Sequence, residues 1–286
     1  MTKILVIGAN GQLGQSFQYW APNFPNFRIL FKDLPELDIL DGDQLERYFN
    51  STSINVVINC AAYTSVDQAE VEPEKAQALN ATALESLCKL SKASGFKLIH
   101  FSTDYVFDGS ANSPYREDDP LSPLGVYGKT KAEGETVIQT SGIDGWIIRT
   151  SWLFSPYGKN FVKTIFSLLQ NKDEINIVSD QTGSPTYAID LAAATLKALD
   201  QKPTFGGVKV YHYTNSWHTT WYRLALAIQQ EINTHCKIQA VDTAANPTKA
   251  RRPKYSVLSC EKIKKDFNLS PQTWELALKD CIKKIG

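Results

Sequence analysis

A glycine-rich turn directly follows the first apolar segment of the chain. Apart from Lys3, residues 3–7 are apolar, which is typical of a strand covered on both faces. The turn reads Gly8-Ala9-Asn10-Gly11-Gln12-Leu13-Gly14, and a helix is expected after it. Glycines at such a turn let the backbone approach a pyrophosphate, whose charge then faces the helix N-terminus. A strand, this turn and a helix in that order favour a dinucleotide-binding unit over a glycine-rich turn without a ligand.

The first half of the chain alternates short apolar runs with amphipathic stretches. Strands are predicted at residues 3–7, 27–31, 55–59, 97–101 and 146–148, and helices at residues 43–50, 76–94 and 129–140. Repeated βα units of this kind form parallel strands joined by helices. The sequence therefore predicts an α/β fold with a Rossmann-type, doubly wound parallel sheet, whose ligands bind beyond the carboxyl ends of the strands.

The pattern changes after Arg149. Helices are predicted at residues 160–169, 188–199 and 221–232, strands at residues 175–178 and 208–213, and the tail from Cys260 alternates apolar and charged residues. No Pro/Gly-rich linker separates the two halves. We expect a dinucleotide-binding domain over residues 1–150, with segments around residues 175–215 returning to it. A smaller C-terminal substrate-binding lobe is expected from residues 151–174 and 216–286.

Composition and charge argue against several classes of protein. Lys plus Arg and Asp plus Glu both number 30, so the formal charge is zero and no basic excess points to a nucleic-acid partner. No run of 18 apolar residues indicates a membrane span, and the start lacks the pattern of a secretory signal, which favours the cytoplasm. The five cysteines form no C-x-x-C pair and the four histidines lack ligand spacing. We therefore expect neither disulfides nor a metal site.

Three side chains suited to proton transfer follow the fourth predicted strand. Thr103 lies at its end, and Tyr127 and Lys131 are spaced i, i+4, which puts them on one helical face. A free phenol has a pKa of about 10, too high for efficient proton transfer near neutrality. A neighbouring ammonium and an oxidised nicotinamide ring are expected to lower it. Lys131 can also hold the nicotinamide ribose, and Thr103 can donate a hydrogen bond to a substrate oxygen.

The end of the second strand leaves the choice of cofactor open. Asp33 can bind the adenosine ribose, as an acid at this position commonly does, or can be a solvated loop carboxylate. Lys32, beside it, can equally meet a 2′-phosphate. The sequence therefore predicts NADH or NADPH without deciding between them.

Ten short motifs are distinctive as a set. They cover residues 8–14, 36–39, 59–64, 66–67, 102–109, 126–131, 149–152, 158–161, 180–186 and 252–253. By these motifs the chain resembles, nearly end to end, the extended short-chain dehydrogenase/reductase family and, within it, the dTDP-4-dehydrorhamnose reductases. The glycine and Tyr-Lys motifs are shared by the whole superfamily. Thr-Ser-Trp at 150–152, Gly-Lys-Asn-Phe at 158–161 and Asp-Gln-Thr-Gly-Ser-Pro-Thr at 180–186 are more specific to this group of reductases.

The resemblance implies an activity and a role for each matching residue. The activity is NAD(P)H-dependent reduction of the C4 keto group of dTDP-4-dehydro-L-rhamnose to dTDP-L-rhamnose. Tyr127 would donate the proton, with Lys131 as its partner and Thr103 polarising the carbonyl. Cofactor-binding residues implied in this way are Gly8, Asn10, Gly11, Gln12, Leu13, Gly14, Asp38, Ile39, Ala61, Ala62, Tyr63, Tyr127 and Lys131. Implied substrate-binding residues are Thr103, Asp104 and Trp152 around the sugar, and Asn160 and Arg252 near the diphosphate.

Some features depart from the family pattern or leave alternatives. Family members have been described with acidic residues that hold Mg²⁺ between two subunits, but Ser16 and Ile189 stand near the corresponding positions here. We therefore predict no such metal and no dimer of that mode, and a homodimer as such is left open. An epimerase, dehydratase or other reductase of nucleotide sugars is an alternative, although Asp104 is followed by Tyr105 rather than by the second acid a dehydratase needs. A non-catalytic regulatory subunit of the methionine adenosyltransferase type is another.

Overall fold

Six parallel strands form the main sheet. The computed structural model describes residues 1–286 and contains strands β1 (Thr2–Ile7), β2 (Phe27–Lys32), β3 (Val56–Asn59), β4 (Lys97–Thr103), β5 (Gly145–Thr150), β6 (Leu153–Phe154), β7 (Glu174–Val178), β8 (Thr182–Gly183), β9 (Thr186–Tyr187), β10 (Val208–His212), β11 (Thr219–Thr220) and β12 (Lys237–Val241). The sheet order is β10-β5-β4-β3-β1-β2, and every neighbouring pair is parallel. The chain leaves β1 on one side for β2 and on the other for β3, so the switch point, where ligands bind, lies between β1 and β3. The predicted Rossmann-type α/β fold is confirmed.

Helices cover the sheet and build the rest of the protein. They are α1 (Gln12–Trp20), α2 (Gly42–Ser51), α3 (Val66–Ala69), α4 (Pro73–Gln77), α5 (Ala83–Ser94), α6 (Val126–Thr140), α7 (Phe161–Asn171), α8 (Ala188–Asp200), α9 (Trp221–Ile232), α10 (Glu261–Phe267) and α11 (Trp274–Ile285). A π-helical turn, Ala78–Thr82, joins α4 to α5 within the helix predicted over residues 76–94. Helix α6 begins three residues earlier than predicted. Its N-terminus is capped from another element, because Val126 N donates a 2.7 Å hydrogen bond to Glu70 Oε1.

Apolar side chains cover both faces of the main sheet, which explains why its strands read as apolar without alternation. Ile4 and Val6 of β1 pack against one layer of helices, whereas Leu5 and Ile7 pack against the other. The first layer contains α1, α8 and α10, and the second contains α2, α5 and α6. Polar side chains lie instead at the edge of the sheet that the carboxyl ends of the strands form.

The C-terminal lobe has its own apolar core. This core lies between α7, α9 and α11 and the parallel pair β7 and β12. The segments predicted to return to the first domain therefore divide: α8 and β10 do lie with the main sheet, but β7 pairs in the lobe. Only alternate residues of β7, Ile175 and Ile177, are buried, as in a strand with one covered face. Conversely, α10, within the predicted lobe segment 216–286, packs on the main sheet.

A fully buried ion pair ties α6 to β5. Arg149 Nη2 lies 2.7 Å from Glu135 Oε2, and Arg149 Nε donates to Glu135 Oε1 at 2.9 Å. Arg149 Nη1 donates to the carbonyl of Glu117 at 3.2 Å and lies 3.3 Å from His212 Nε2. Burial and the Arg149 charge lower the pKa of His212 to about 3, so this imidazole is neutral. The network fixes the helix that carries Tyr127 and Lys131 against the sheet.

Candidate active site

A cleft of about 640 Å³ opens beyond the carboxyl ends of the main-sheet strands. Its walls come from the glycine turn, the loop after β3, the end of β4, the first turns of α6 and the C-terminal lobe. Predicted site residues that line it are Gly11, Gln12, Leu13, Ala61, Ala62, Thr103, Asp104, Tyr127, Lys131, Trp152, Asn160 and Arg252. Residues assigned from distant parts of the sequence thus face one space, next to the switch point of the sheet.

Two glycines of the turn are required by close packing. A Cβ at Gly8, whose φ is +77°, would lie 2.5 Å from Ala61 N, and a Cβ at Gly14 would lie 2.3 Å from the carbonyl of Gly8. Gly11 is less confined, with its nearest neighbour at 3.4 Å, and it lines the cleft. It is also the N-cap of α1, where no side chain caps the helix. The first amides of α1 therefore suit a phosphate group.

Side chains from both lobes hold the turn in place. Asp33 Oδ2 accepts a 2.7 Å hydrogen bond from Asn10 N, so Asp33 is engaged with the turn rather than simply solvated. Gln12 Oε1 accepts hydrogen bonds from Ser155 Oγ at 3.1 Å and from Asn160 Nδ2 at 3.0 Å. Lys32, the alternative 2′-phosphate contact, pairs with Glu36. The turn is therefore fixed by the second strand on one side and by the lobe on the other.

Three of the predicted cofactor residues, Asp38, Ile39 and Tyr63, are engaged elsewhere in the fold. Ile39 is buried in the core beneath the sheet, and Asp38 Oδ1 accepts a 2.9 Å hydrogen bond from Leu40 N. The Tyr63 hydroxyl donates a 2.8 Å hydrogen bond to Glu72 Oε2. These three side chains do not line the cleft. Asn80 lies in the π turn, and no sequence motif identified it. Its side-chain amide accepts a hydrogen bond from Tyr63 N and donates one to the Tyr63 carbonyl, and so holds the loop after β3.

The Tyr127 phenol stands at the floor of the cleft as a protonated group. Its ring meets the ring of Tyr105 edge-on, with centroids 5.9 Å apart. Burial raises the pKa of Tyr127 above its ordinary 10, while the hydroxyl of Thr103 acts in the opposite direction. The predicted lowering by an ammonium together with an oxidised nicotinamide ring stays a prediction for the enzyme with its cofactor bound; in the protein alone, burial is the largest cause and raises this pKa. A protonated phenol is the state that a proton donor needs.

The Lys131 side chain points into the protein beneath the tyrosine. Its Nζ donates a 2.6 Å hydrogen bond to the carbonyl of Phe101 and lies 3.0 Å from His100 Nε2. Burial lowers the pKa of Lys131 to about 8, while the Glu135 carboxylate acts to raise it. Lys131 therefore changes its charge close to neutral pH.

Asp104 is a buried carboxyl at the end of β4. Its Oδ1 accepts a 3.0 Å hydrogen bond from Thr103 Oγ1, and its Oδ2 has no partner. Burial raises the pKa of Asp104 to about 7, while the nearby Ser256 and Thr103 hydroxyls act to lower it. An unpartnered buried oxygen beside a cleft is suited to a ligand hydroxyl.

We expect Asp104 to make stability depend on pH. Folded Asp104 keeps its proton up to about pH 7, whereas in the unfolded chain its pKa returns to 3.8. The folded state therefore binds the extra proton between about pH 4 and pH 7, and the free energy of unfolding falls as pH rises through that window, by about 4 kcal/mol at most. Asp104→Asn, uncharged throughout, should lack this fall. Urea unfolding of both proteins at pH 5 and pH 8 measures it; equal pH slopes would rule out the effect.

Two indoles meet on the lobe side of the cleft. Trp152 stacks on Trp221 with ring centroids 3.5 Å apart and planes 8° apart. Trp152 has a φ of +46°, and a Cβ at Gly183 would lie 2.4 Å from its indole. Both tryptophans line the cleft. Trp221 begins a predicted amphipathic helix, and that pattern alone did not distinguish it from a core residue.

The polar residues assigned to the diphosphate are already engaged. Arg252 Nη2 donates to Asp67 Oδ2 at 2.7 Å, and its Nη1 donates to the Tyr105 hydroxyl at 3.2 Å. Asn160 is the N-cap of α7, because its Oδ1 accepts from Lys163 N at 3.1 Å. Arg252 nevertheless keeps a face on the cleft, whereas the contacts of Asn160 position the glycine turn.

The structure contains neither a cluster of side chains suited to a metal ion nor a helix suited to spanning a membrane. No group of three or more His, Cys, Asp or Glu side chains is arranged to hold a metal ion. Ser16 and Ile189, at the positions related to a family metal site, are both buried within the chain. None of the helices combines the length and the apolar character that crossing a membrane requires.

The whole chain matches a known protein family. Residues 1–286 match the family model described as RmlD substrate binding domain. The dTDP-4-dehydrorhamnose reductase of Aggregatibacter actinomycetemcomitans is 39% identical over 288 residues, which cover 98% of each chain. The spore coat polysaccharide biosynthesis protein SpsK of Bacillus subtilis is also 39% identical, over 99% of this chain and 98% of its own.

Solved structures agree with the sequence comparison. A dTDP-4-dehydrorhamnose reductase from Clostridium acetobutylicum superposes with a TM-score of 0.92 at 37% identity, over 99% of both chains. One from Bacillus anthracis, in complex with NADP, gives a TM-score of 0.93 at 34% identity, over 99% of this chain and 100% of its own. The chain therefore belongs to the RmlD family of extended short-chain dehydrogenases/reductases, in which these dTDP-4-dehydrorhamnose reductases fall.

Proposed function

We propose that the chain reduces the C4 keto group of dTDP-4-dehydro-L-rhamnose to give dTDP-L-rhamnose, with NADPH or NADH as reductant. One observation carries the proposal: Thr103, Tyr127 and Lys131 face the same cleft as the glycine turn. The end-to-end similarity to reductases of this name supports the choice of substrate. The NADP bound by the Bacillus anthracis relative supports the choice of cofactor.

The residues at the switch point fit a dinucleotide. The uncapped N-terminus of α1 and the open side of Gly11 would take the pyrophosphate, and Ala61 and Ala62 would flank it beyond β3. When bound, the reduced nicotinamide supplies a hydride. Lys131, at the base of the cleft, would hold the nicotinamide ribose. Asp33 lies near enough to the turn to meet the adenosine ribose, whereas Lys32 favours a 2′-phosphate, so both cofactors are compatible with this end of the site.

Tyr127 and Thr103 would act on the C4 oxygen of the substrate. Tyr127 would donate its proton to the C4 oxygen as negative charge develops there; its raised pKa keeps the phenol protonated until then, and the alkoxide is still the stronger base. Thr103 would stabilise the same oxygen by a hydrogen bond. Its single proton is directed at Asp104 Oδ1 in the protein alone. When Asp104 is itself protonated, the Thr103 hydroxyl would be free to turn its hydrogen bond from Asp104 to the substrate oxygen.

Incubation with dTDP-4-dehydro-L-rhamnose tests the function. With NADH or NADPH we expect loss of cofactor absorbance and formation of dTDP-L-rhamnose in equal amounts. The ratio of kcat/KM for the two cofactors decides the preference. Recovery of unchanged cofactor together with a changed sugar would instead identify an epimerase. No turnover of any dTDP-linked 4-keto sugar would remove the proposal.

Gly183→Ala should weaken productive sugar binding. The added methyl group would collide with the indole of Trp152, which we assign to the sugar with Asp104, and displacing it from its stack on Trp221 should reduce kcat/KM about tenfold. Gly206→Ala is the matched control, because a Cβ at Gly206 meets no atom within 4 Å. Steady-state kinetics on both variants measure the effect. Equal values for the two variants would exclude Trp152 from the sugar site.

Three properties stay predictions from the sequence. These are a cytoplasmic location, an oligomeric state in which a homodimer is left open, and the lack of a nucleic-acid partner. Light scattering on the purified protein determines the oligomeric state. The balanced charge of 30 basic and 30 acidic residues supports the last of the three.

A further inference from the structure

A chain of buried polar groups runs from the cofactor groove to Lys131. Ala61 N donates to Asn59 Oδ1 at 3.1 Å, Asn59 Nδ2 lies 3.1 Å from His100 Nδ1, and His100 Nε2 lies 3.0 Å from Lys131 Nζ. The side chains are shielded from water, since Asn59 and His100 are each 1% exposed and Lys131 is 2% exposed. Neither Asn59 nor His100 has a part in the mechanism described above.

The Ala61 N–H donor at one end of this series of hydrogen bonds determines which ring nitrogen of His100 carries the hydrogen. Ala61 N–H can only donate, so it must face the oxygen of the Asn59 amide, which turns the NH₂ group toward His100. His100 Nδ1 must therefore accept. Burial and the neighbouring Lys131 lower the pKa of His100 well below 6.5, so its ring is neutral and carries one hydrogen. That hydrogen is on Nε2, the atom that faces Lys131.

This tautomer places a donor where an ammonium group would need an acceptor. A lysine ammonium has three donors and no lone pair, so it cannot accept the Nε2–H group 3.0 Å away. A neutral amine can accept that hydrogen and still donate to the carbonyl of Phe101. We propose that Asn59 and His100 form a tuning pair that holds Lys131 ready to lose its proton, by fixing an imidazole donor against the lysine nitrogen.

The other charged and titratable groups around Lys131 do not account for a specific contact with its nitrogen. The tuning pair provides that contact from the side of the sheet. On α6, the Glu135 carboxylate favours the ammonium but is paired with Arg149. Tyr127, one turn before Lys131, is a neutral phenol, and Asp104 on the loop after β4 carries charge only above about pH 7. His100 on β4 is therefore the group in direct contact that opposes the ammonium.

The tuning pair would assist the proposed reduction. This role rests on the proposed function. After Tyr127 gives its proton to the C4 oxygen, a phenolate remains and must be reprotonated. The Lys131 ammonium can supply that proton and regain one from water in the cleft that Lys131 lines, and the transfer is most efficient when its donor titrates near the working pH. Asn59 lines the cleft and His100 does not, but in this scheme neither exchanges a proton with substrate or cofactor, and both act through Lys131 as positioning residues.

The tautomer of His100 can be observed directly, without any enzyme assay. Long-range ¹H–¹⁵N correlation spectra of protein with ¹⁵N-labelled histidine distinguish a protonated ring nitrogen from an unprotonated one. There are four histidines, and the spectrum of His100→Gln assigns the signal. We expect Nε2 protonated and Nδ1 unprotonated, with no titration from pH 6 to pH 9. The opposite tautomer, or a doubly protonated ring, would overturn the proposal even if the enzyme reduces the sugar as expected.

Kinetic variants test whether the tautomer matters to Lys131. Asn59→Asp keeps an oxygen for Ala61 N and presents a second oxygen to Nδ1, which moves the hydrogen from Nε2 to Nδ1. His100→Gln offers an amide oxygen to the lysine. Both should raise the basic inflection of the kcat–pH profile by about one unit, the size expected for exchanging one hydrogen bond. His218→Gln, at an exposed histidine, is the control. An unshifted inflection in folded Asn59→Asp would reject the proposal, whereas a protein with the expected tautomer but no reductase activity would reject only the proposed function.

Discussion

Tyr127→Phe should lower the turnover number by about 10²-fold or more while leaving cofactor affinity nearly unchanged. The substitution removes one hydroxyl group and keeps the ring that packs edge-on against Tyr105. Hydride transfer to the C4 carbon would then leave an alkoxide without its proton donor. Because the tyrosine is assigned to proton transfer, the loss should appear in kcat more than in KM. Stopped-flow reduction and titration of the cofactor measure the two effects separately.

A remote tyrosine provides the control for this experiment. Tyr211 is buried in the helix layer that contains α10, on the other side of the sheet from α6, and its hydroxyl donates to Asp266 Oδ2 at 3.0 Å. Tyr211→Phe should reduce stability slightly and leave kcat within about twofold of the unsubstituted enzyme. A Tyr127→Phe enzyme that turns over as fast as this control would remove Tyr127 as the donor. Water or Thr103 would then have to supply the proton.

Local patterns in the sequence predicted the fold because each βα unit is specified by neighbouring residues. The helix Trp221–Ile232 was predicted with its observed limits, and β1 to within one residue, since apolar periodicity and turn residues determine both. The start of α6 was misplaced because Glu70, far along the chain, supplies its cap. The strand β7 was assigned to the wrong sheet because a short apolar run does not indicate its partner.

The candidate site was predicted from motifs, but its electrostatics depend on contacts between distant residues. Asn59 and His100 meet although 41 residues separate them, and Trp152 stacks on Trp221 from another element. No spacing rule reports such pairs. In the protein without cofactor, burial raises the pKa of Tyr127, and the sequence shows the nearby lysine but not this depth of burial.

Glu135→Ala should strongly destabilise the protein while leaving the cleft lining intact. Its carboxylate is 0% exposed and its partner Arg149 is 2% exposed. Removing one member of a buried ion pair leaves an unpaired charge in the interior, at a cost of about 3–5 kcal/mol. The Arg149 guanidinium would keep hydrogen-bonding contact with the Glu117 carbonyl and the neutral His212 ring, and its place over the Phe107 ring, but no directly paired carboxylate. Urea denaturation, compared at constant m-value, measures the loss.

An exposed pair and a double variant show whether burial is the cause. Lys237 and Glu174 are 64% and 50% exposed at 3.5 Å, so Glu174→Ala should cost less than about 1 kcal/mol. Glu135→Leu combined with Arg149→Met replaces both charges by apolar side chains of similar volume and should recover most of the stability lost in Glu135→Ala. If the double variant is as unstable as the single one, the hydrogen bonds of Arg149 rather than its uncompensated charge hold α6 to β5. Because α6 carries both Tyr127 and Lys131, the recovered protein should also regain a folded active-site cleft.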